Sequence, residues 1–150
     1  MQVVEILMGL PGSGKSSYAR EKVGRDLQWL RFCRTFFRSM VSEKRYSKEI
    51  ENLISLSRNY FIKSALTSGY NVIIDGVNSE EDTRKVKLLV EKLPFPVQVV
   101  ENDSFLEVPL KELLERNKTR HCPLDEDVIH RYYLEYEERI KQVAERRHYA

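Results

Sequence analysis

The chain predicts an α/β fold, with a small parallel β-sheet of about four strands covered by helices on both faces. Three observations carry this. The apolar run Val3-Val4-Glu5-Ile6-Leu7-Met8 leads directly into the turn Gly9-Leu10-Pro11-Gly12-Ser13-Gly14-Lys15-Ser16, and a helical stretch follows. Further strand-like runs alternate with stretches of helical periodicity, as a parallel sheet with crossover helices requires. The length of 150 residues suits a single domain, read here as residues 1–150, able to bury a sizeable core.

The elements follow in order. Val3 to Met8 is the first strand, and the helix beginning near Ser16 ends near Val23-Gly24. Gln28 to Cys33 reads as a second strand, and Arg34 to Met40 opens a helical region. From Tyr46 to Thr67, Ile50, Leu53, Ile54, Phe61, Ile62 and Ala65 recur at helical steps, and Ser68-Gly69 supplies a left-handed cap. Tyr70 to Asp75 is an apolar run bounded by turn residues, which suits a buried central strand. Ser79 is the candidate cap of a helix whose first turn holds Glu80, Glu81 and Asp82, and Pro94 and Pro96 mark its end. Val97 to Glu101 is the fourth strand, Pro109 to Asn117 a helix, and Asp125 to Ala144 one final helix.

Composition narrows the function classes. Hydrophobic residues make up 41% and charged residues 32%, and no stretch approaches the roughly 18 apolar residues of a membrane helix. The first strand begins at once, so no signal peptide is expected ahead of it. Cys33 and Cys122 are too few and too isolated for a metal knuckle or a disulfide scaffold, which favours a reducing, cytoplasmic setting. A net charge of +2 is uninformative, but its distribution is not. Between Arg25 and Tyr60, eight basic residues (Arg25, Arg31, Arg34, Arg38, Lys44, Arg45, Lys48, Arg58) face four acidic ones and are interleaved with Trp29, Phe32, Phe36, Phe37 and Tyr46. Two roles stay open for this segment: a surface for a phosphate- or base-bearing substrate, or aromatics in the core beneath solvated arginines.

The glycine-rich turn carries the most specific chemistry. It is a complete Walker A pattern, and its glycines let successive backbone N–H groups converge on phosphate oxygens. Lys15 supplies positive charge to the outer phosphates, and the Ser16 hydroxyl is a candidate Mg²⁺ ligand. Gly9, Gly12, Ser13, Gly14, Lys15, Ser16 and Ser17 form the candidate nucleotide-binding set, for ATP or GTP. Asp75, a carboxylate ending a buried strand, is the second candidate for Mg²⁺ or for catalysis. Asn78 could orient either substrate or the turn itself. Arg116 and Arg120 stand four residues apart, so on a helix they share a face and could stabilise charge on a transferring phosphoryl group. Cys122-Pro123 breaks the chain after them, as in a lid.

The succession of a strand, GLPGSGKSSYARE, Arg34 to Arg38, VIIDGVN, and VPLKELLERNKTR followed by CPLDEDVI resembles the kinase domain of phage polynucleotide 5′-hydroxyl kinase and related small P-loop kinases, over almost the whole chain. The resemblance implies a P-loop NTPase/kinase fold with a helical lid, and transfer of the γ-phosphoryl group of ATP to the 5′-OH of DNA or RNA. It assigns Lys15 and Ser16 to phosphates and Mg²⁺, Arg38 to a 3′-phosphate of the substrate, and Arg116 and Arg120 to the lid, with Arg34 and Thr35 on the acceptor side. It also implies a phage enzyme acting inside its host.

One departure bears on the chemistry. The family pattern is Arg-Asp-Asp-x-Arg, with the first aspartate as general base, whereas this chain has Arg34-Thr35-Phe36-Phe37-Arg38. A neutral hydroxyl has no useful basicity near neutral pH. Glu43, Glu49 and Asp75 are the substitute carboxylates, Asp75 foremost. Two alternatives follow: a kinase for a nucleoside, a nucleotide or a modified base in DNA, and a module that binds or hydrolyses nucleotide with little transfer.

Overall fold

The computed structural model describes residues 1–43, 45–76 and 78–149. Lys44 of the basic segment and Val77 of the VIIDGVN run lie outside the described residues. Four strands, β1 (Gln2–Leu7), β2 (Trp29–Cys33), β3 (Asn71–Asp75) and β4 (Val97–Asn102), form a parallel sheet in the order β2-β3-β1-β4. Among the described residues seven α-helices connect and follow them: α1 (Lys15–Arg25), α2 (Arg34–Ser42), α3 (Lys48–Thr67), α4 (Glu80–Glu91), α5 (Leu110–Lys118), α6 (Glu126–Glu135) and α7 (Glu137–Tyr149). No helix among the described residues is long and apolar enough to cross a membrane.

Alternation along the strands sorts side chains to two faces. Val4, Ile6, Val72 and Ile74 pack on Ile62, Ala65 and Leu66 of α3 and on Val86 and Val90 of α4. On the opposite face Leu7 and Ile73 meet Ala19 of α1. Glu5 shares that second face and is buried, which would be costly without partners. Its carboxylate accepts from the Tyr18 hydroxyl at 2.7 Å and the Asn102 amide at 2.9 Å, and pairs with Lys22 at 2.5 Å. Burial pushes the Glu5 pKa up, but these donors outweigh burial and hold it below the ordinary carboxylate range. The Lys22 ammonium also lies 3.8 Å from the centre of the Trp29 ring, so one ion pair ties α1 to both β1 and β2.

Helix ends follow local chemistry. Ser79 and Asp82 form a reciprocal capping box on α4, and Gly69 closes α3 at φ 90°. The long helix begins at Lys48 rather than Tyr46 because the Ser47 side chain accepts from the Ile50 amide and caps it. The expected single helix from Asp125 to Ala144 is instead two helices that break at Tyr136. Neither Gly nor Pro stands at the break. Tyr136 is drawn into the third core cluster, with Met8, Leu10, Leu113 and Ile129, while Arg139 and Arg146 of α7 both reach Asp103 at the end of β4, at 2.8 and 2.6 Å. A 3-10 turn at Ser104–Glu107, unmarked in the sequence pattern, places Leu106 in the same cluster.

Helix α3 separates core from surface side chains sharply. Ile54 and Ile62 are fully buried, whereas Tyr60 on the same helix is 74% exposed. Ile62→Ala should therefore lower the unfolding free energy by about 2–5 kcal/mol, and Tyr60→Ala should change it by less than about 0.5 kcal/mol. Urea unfolding of the two variants checks this; similar losses would contradict the assigned faces.

Candidate functional site

The loop between β1 and α1 has its expected geometry. Gly12 and Gly14 are left-handed, at φ 85° and 101°. A Cβ at Gly9 would lie 2.6 Å from both the Phe105 Cβ and the Ser13 Oγ, so this position has no space for a side chain. Gly14 is the N-cap of α1 and provides no side-chain acceptor, and the first turn of α1 holds no acidic residue. The helix N-terminus thus keeps its positive potential, which suits an anion.

Lys15 is buried and curls back into the loop. Its ammonium donates to the carbonyls of Gly9 at 2.7 Å and Leu10 at 2.9 Å, with the Ser13 hydroxyl at 3.4 Å. Burial pushes its pKa down to about 8, opposed by the negative charge of Asp75 and aided by the positive charge of Arg120.

Asp75, at the end of β3, is 1% exposed. The Ser16 hydroxyl donates to its Oδ1 at 3.4 Å, and Arg31 of β2 donates to its Oδ2 through Nε at 2.9 Å and a terminal nitrogen at 2.6 Å. A hydroxyl and a carboxylate oxygen side by side at the end of the anion-binding loop are hard donors that suit Mg²⁺. Among the described residues no group of three or more His, Cys, Asp or Glu residues could hold a metal, so an ion here would complete its shell with phosphate oxygens and water. In the sequence Arg31 stands only as one of a basic group. Its signal was a cation within the otherwise apolar run Trp29-Leu30-Arg31-Phe32-Cys33, beside the strand that carries the carboxylate.

The lid meets the loop through Arg116. Its guanidinium donates to the Gly12 carbonyl at 2.9 Å and pairs with Glu112 at 2.5 Å. The turn after α5 is fixed by the buried Asn117, whose amide donates to the Leu124 carbonyl at 2.7 Å and accepts from the Leu124 N–H at 2.9 Å. Asn117 is a supporting residue without a distinguishing sequence signal.

The remaining candidates separate. Arg34 and Arg38, on one face of α2, converge on Glu51 of α3, Arg34 at 2.5 Å, and Arg34 also reaches the Ser55 hydroxyl. Burial pushes the Glu51 pKa up, yet the two guanidinium groups hold it below the ordinary range, so it is ionised near neutral pH. Thr35 is exposed on the first turn of α2, and Ser17 is exposed on α1. Glu43 and Glu49 are also exposed, and Asp75 is engaged by Arg31. The amide of Asn78 donates to the carbonyls of Leu7 at 2.6 Å and Ile74 at 3.3 Å. It ties the ends of β1 and β3 together.

The Lys15 environment predicts a pH effect on stability. Its pKa falls from 10.5 to about 8 on folding, so the unfolded chain binds more protons between these values. The stability contribution of Lys15 therefore rises as pH increases across that interval. Denaturant unfolding at both ends of the interval should show wild type gaining stability relative to Lys15→Met as pH rises. A parallel response of the two proteins would contradict the buried ammonium.

Comparison with known proteins agrees with this geometry. The family model described as "AAA domain" matches residues 4–142. L-seryl-tRNA(Sec) kinase of Methanococcus maripaludis is 27% identical over 136 residues, covering 88% of this chain and 51% of that protein. A chain in a structure of the Pnkp1/Rnl/Hen1 RNA repair complex superimposes with TM-score 0.74 at 23% identity, covering 94% of this chain and 46% of the other. A second structure of the Pnkp1/Rnl/Hen1 complex gives TM-score 0.61 at 28% identity, with 83% and 41% covered. The chain thus spans about half the length of the curated relative it matches. It belongs to the AAA domain family and has the fold of the polynucleotide-kinase-like P-loop kinases.

Proposed function

We propose that this chain is a phosphotransferase that uses ATP or GTP with Mg²⁺ to move the γ-phosphoryl group onto a hydroxyl of a nucleic acid, with the 5′-OH end of DNA or RNA as the foremost acceptor. The observation that supports it most is the contact of the Gly9–Ser16 loop, Lys15, Ser16 and Asp75 beneath a lid arginine bonded to Gly12. The relatives add weight: one is named a kinase of L-seryl-tRNA and another lies in an RNA repair complex, so both names join this fold to nucleic-acid substrates.

In this reading Gly9, Gly12, Ser13, Gly14 and Ser17 line the polyphosphate, while Ser16 and Asp75 hold Mg²⁺ when it is bound, neutralising phosphate charge. Lys15 exchanges the Gly9 and Leu10 carbonyls for phosphate oxygens, which stabilises its charged form. The bond from the γ-phosphorus to the β-bridging oxygen breaks, releasing the nucleoside diphosphate, as the acceptor oxygen bonds to phosphorus, and the acceptor's proton passes to an oxygen of the transferred phosphoryl group or to water. Arg116 and Arg120 stabilise the charge spread over the transferring group. Arg34 and Arg38 grip an acceptor phosphate, sharing their charge with Glu51. Thr35 leaves the acceptor position without a general base, so transfer relies on positioning and electrostatics. A second reading, phosphorylation of a nucleoside, nucleotide or modified base, is favoured by Phe36, which is 68% exposed next to Thr35.

Labelled phosphate from γ-labelled ATP should appear on 5′-OH oligonucleotides in a panel that also holds nucleosides, nucleoside 3′-monophosphates and hydroxymethylated bases. Thr35→Asp should increase that transfer. Lys15→Ala should reduce turnover about 10²-fold or more, and Arg116→Ala and Arg120→Ala should reduce turnover more than nucleotide affinity. Label confined to small nucleosides would favour the second reading, and label on no acceptor would refute both.

A further inference from the structure

Helix α3 carries two apolar faces where the fold uses one. Ile54, Ile62, Ala65 and Leu66 are buried on its inner side, the last three in the cluster on the sheet. Leu53, Leu56 and Tyr60 recur at three- and four-residue steps on the opposite side and are 55%, 67% and 74% exposed. The outer face of a surface helix is ordinarily polar, so these three positions, in a chain with 32% charged residues, have no role in the fold itself. The two exposed residues that continue the stripe are charged, and their signs are opposite. Glu49 lies four residues before Leu53, and Lys63 lies three residues after Tyr60.

The stripe Glu49-Leu53-Leu56-Tyr60-Lys63 thus steps by 4, 3, 4 and 3 residues, the spacing of a helix surface that packs along another helix. Leu56 stands at its midpoint, so each charge lies about 10 Å along the axis from it. Within α3 the residues three and four away from Glu49 are Asn52 and Leu53, and those around Lys63 are Asn59, Tyr60, Leu66 and Thr67, so neither charge has an opposite one at pairing distance along the helix. This symmetry identifies the partner. When two α3 helices pack in opposite directions with Leu56 on Leu56, Glu49 of each copy faces Lys63 of the other, whereas parallel packing would set like charges against each other at both ends. Phe36 and Met40, one turn apart on α2 and each more than half exposed, widen the surface, and Phe36 lines the same groove as Leu56 and Tyr60. Five large side chains exposed to this degree present about 500 Å² of apolar surface, near the upper limit for a monomer and, with a polar rim, close to the roughly 800 Å² per partner of a standard interface.

We propose that the outer face of α3 binds a second copy of this chain in an antiparallel, two-fold pair centred on Leu56, with Glu49 and Lys63 as the reciprocal ion pairs that set its direction. A two-fold contact of this kind is self-complementary and closed, so assembly stops at two copies. An interface of this size associates in the micromolar range. Urea unfolding of dilute protein then reports on the separate chain, which is the condition for comparing Ile62→Ala with Tyr60→Ala.

The test is sedimentation equilibrium of the intact chain, from low micromolar to several hundred micromolar, in wild type, Leu56→Arg, Glu49→Lys, Lys63→Glu and an equimolar mixture of the last two. Circular dichroism verifies that each variant is folded, and all three positions are exposed. Wild type should approach twice the mass of one chain as concentration rises, and Leu56→Arg should stay at the mass of one. Glu49→Lys and Lys63→Glu should each weaken association about tenfold or more, because each places like charges opposite one another at both ends. Their mixture should restore it, since every facing pair is then a lysine with a glutamate. A wild type that stays monomeric throughout would overturn the proposal, as would a dimer that Leu56→Arg leaves intact. Single reversals without effect, or a mixture that associates no better than its components, would overturn it as well.

Discussion

The buried carboxylate of Asp75 is the constraint on which the rest of the site depends. A carboxyl group so fully removed from water must be matched by nearby charge or hydrogen bonds, and Asp75 is matched by Arg31 on one oxygen and Ser16 on the other. Those partners come from β2 and from the first turn of α1, so the charge balance fixes how the edge strand and the first helix meet the centre of the sheet. The parallel register of Cys33 with Asp75 then sets where α2 starts. A slip of one residue in β2 would turn Arg31 to the other face and leave the carboxylate without its cation.

The same arrangement recurs at the periphery. Single carboxylates with two or three cationic or polar partners hold helices in place: Glu5 engages Lys22, Tyr18 and Asn102, Glu51 engages Arg34 and Arg38, and Asp103 engages Arg139 and Arg146. Buried and half-buried pairs of this kind add little net stability over apolar packing, but removing one partner is costly. Their effect is therefore on geometry. They fix the angles of α1, α2 and α7 around a sheet whose stability comes from the apolar clusters of α3, α4 and the lid.

Much of this was legible in the sequence because the signals are local. Glycines at left-handed positions, a Lys-Ser pair behind a strand, a serine with an acidic residue three positions later and an apolar run ending in aspartate each act within a few residues. The α6–α7 break was not legible, because it depends on partners far away in sequence: Met8 and Leu10, which share a core cluster with Tyr136, and Asp103, which binds Arg139 and Arg146 of α7. Arg31, Glu51 and Asn117 were missed for the same reason: their partners are set by strand order and helix packing rather than by spacing. Asn78 shows the limit of motif reading, since the Leu7 and Ile74 carbonyls it binds are brought together only by the pairing of β1 with β3.

Under the proposed function the loop, Lys15, Ser16 and Asp75 form one polyphosphate and magnesium site. Replacing Mg²⁺ with paramagnetic Mn²⁺ in a nuclear magnetic resonance titration with ADP tests it most directly. Mn·ADP should broaden the backbone amides of Gly12, Gly14, Lys15, Ser16 and Asp75 before any others, and Ser16→Ala should weaken the effect. Broadening centred on another part of the chain, or none at saturating Mn·ADP, would contradict it.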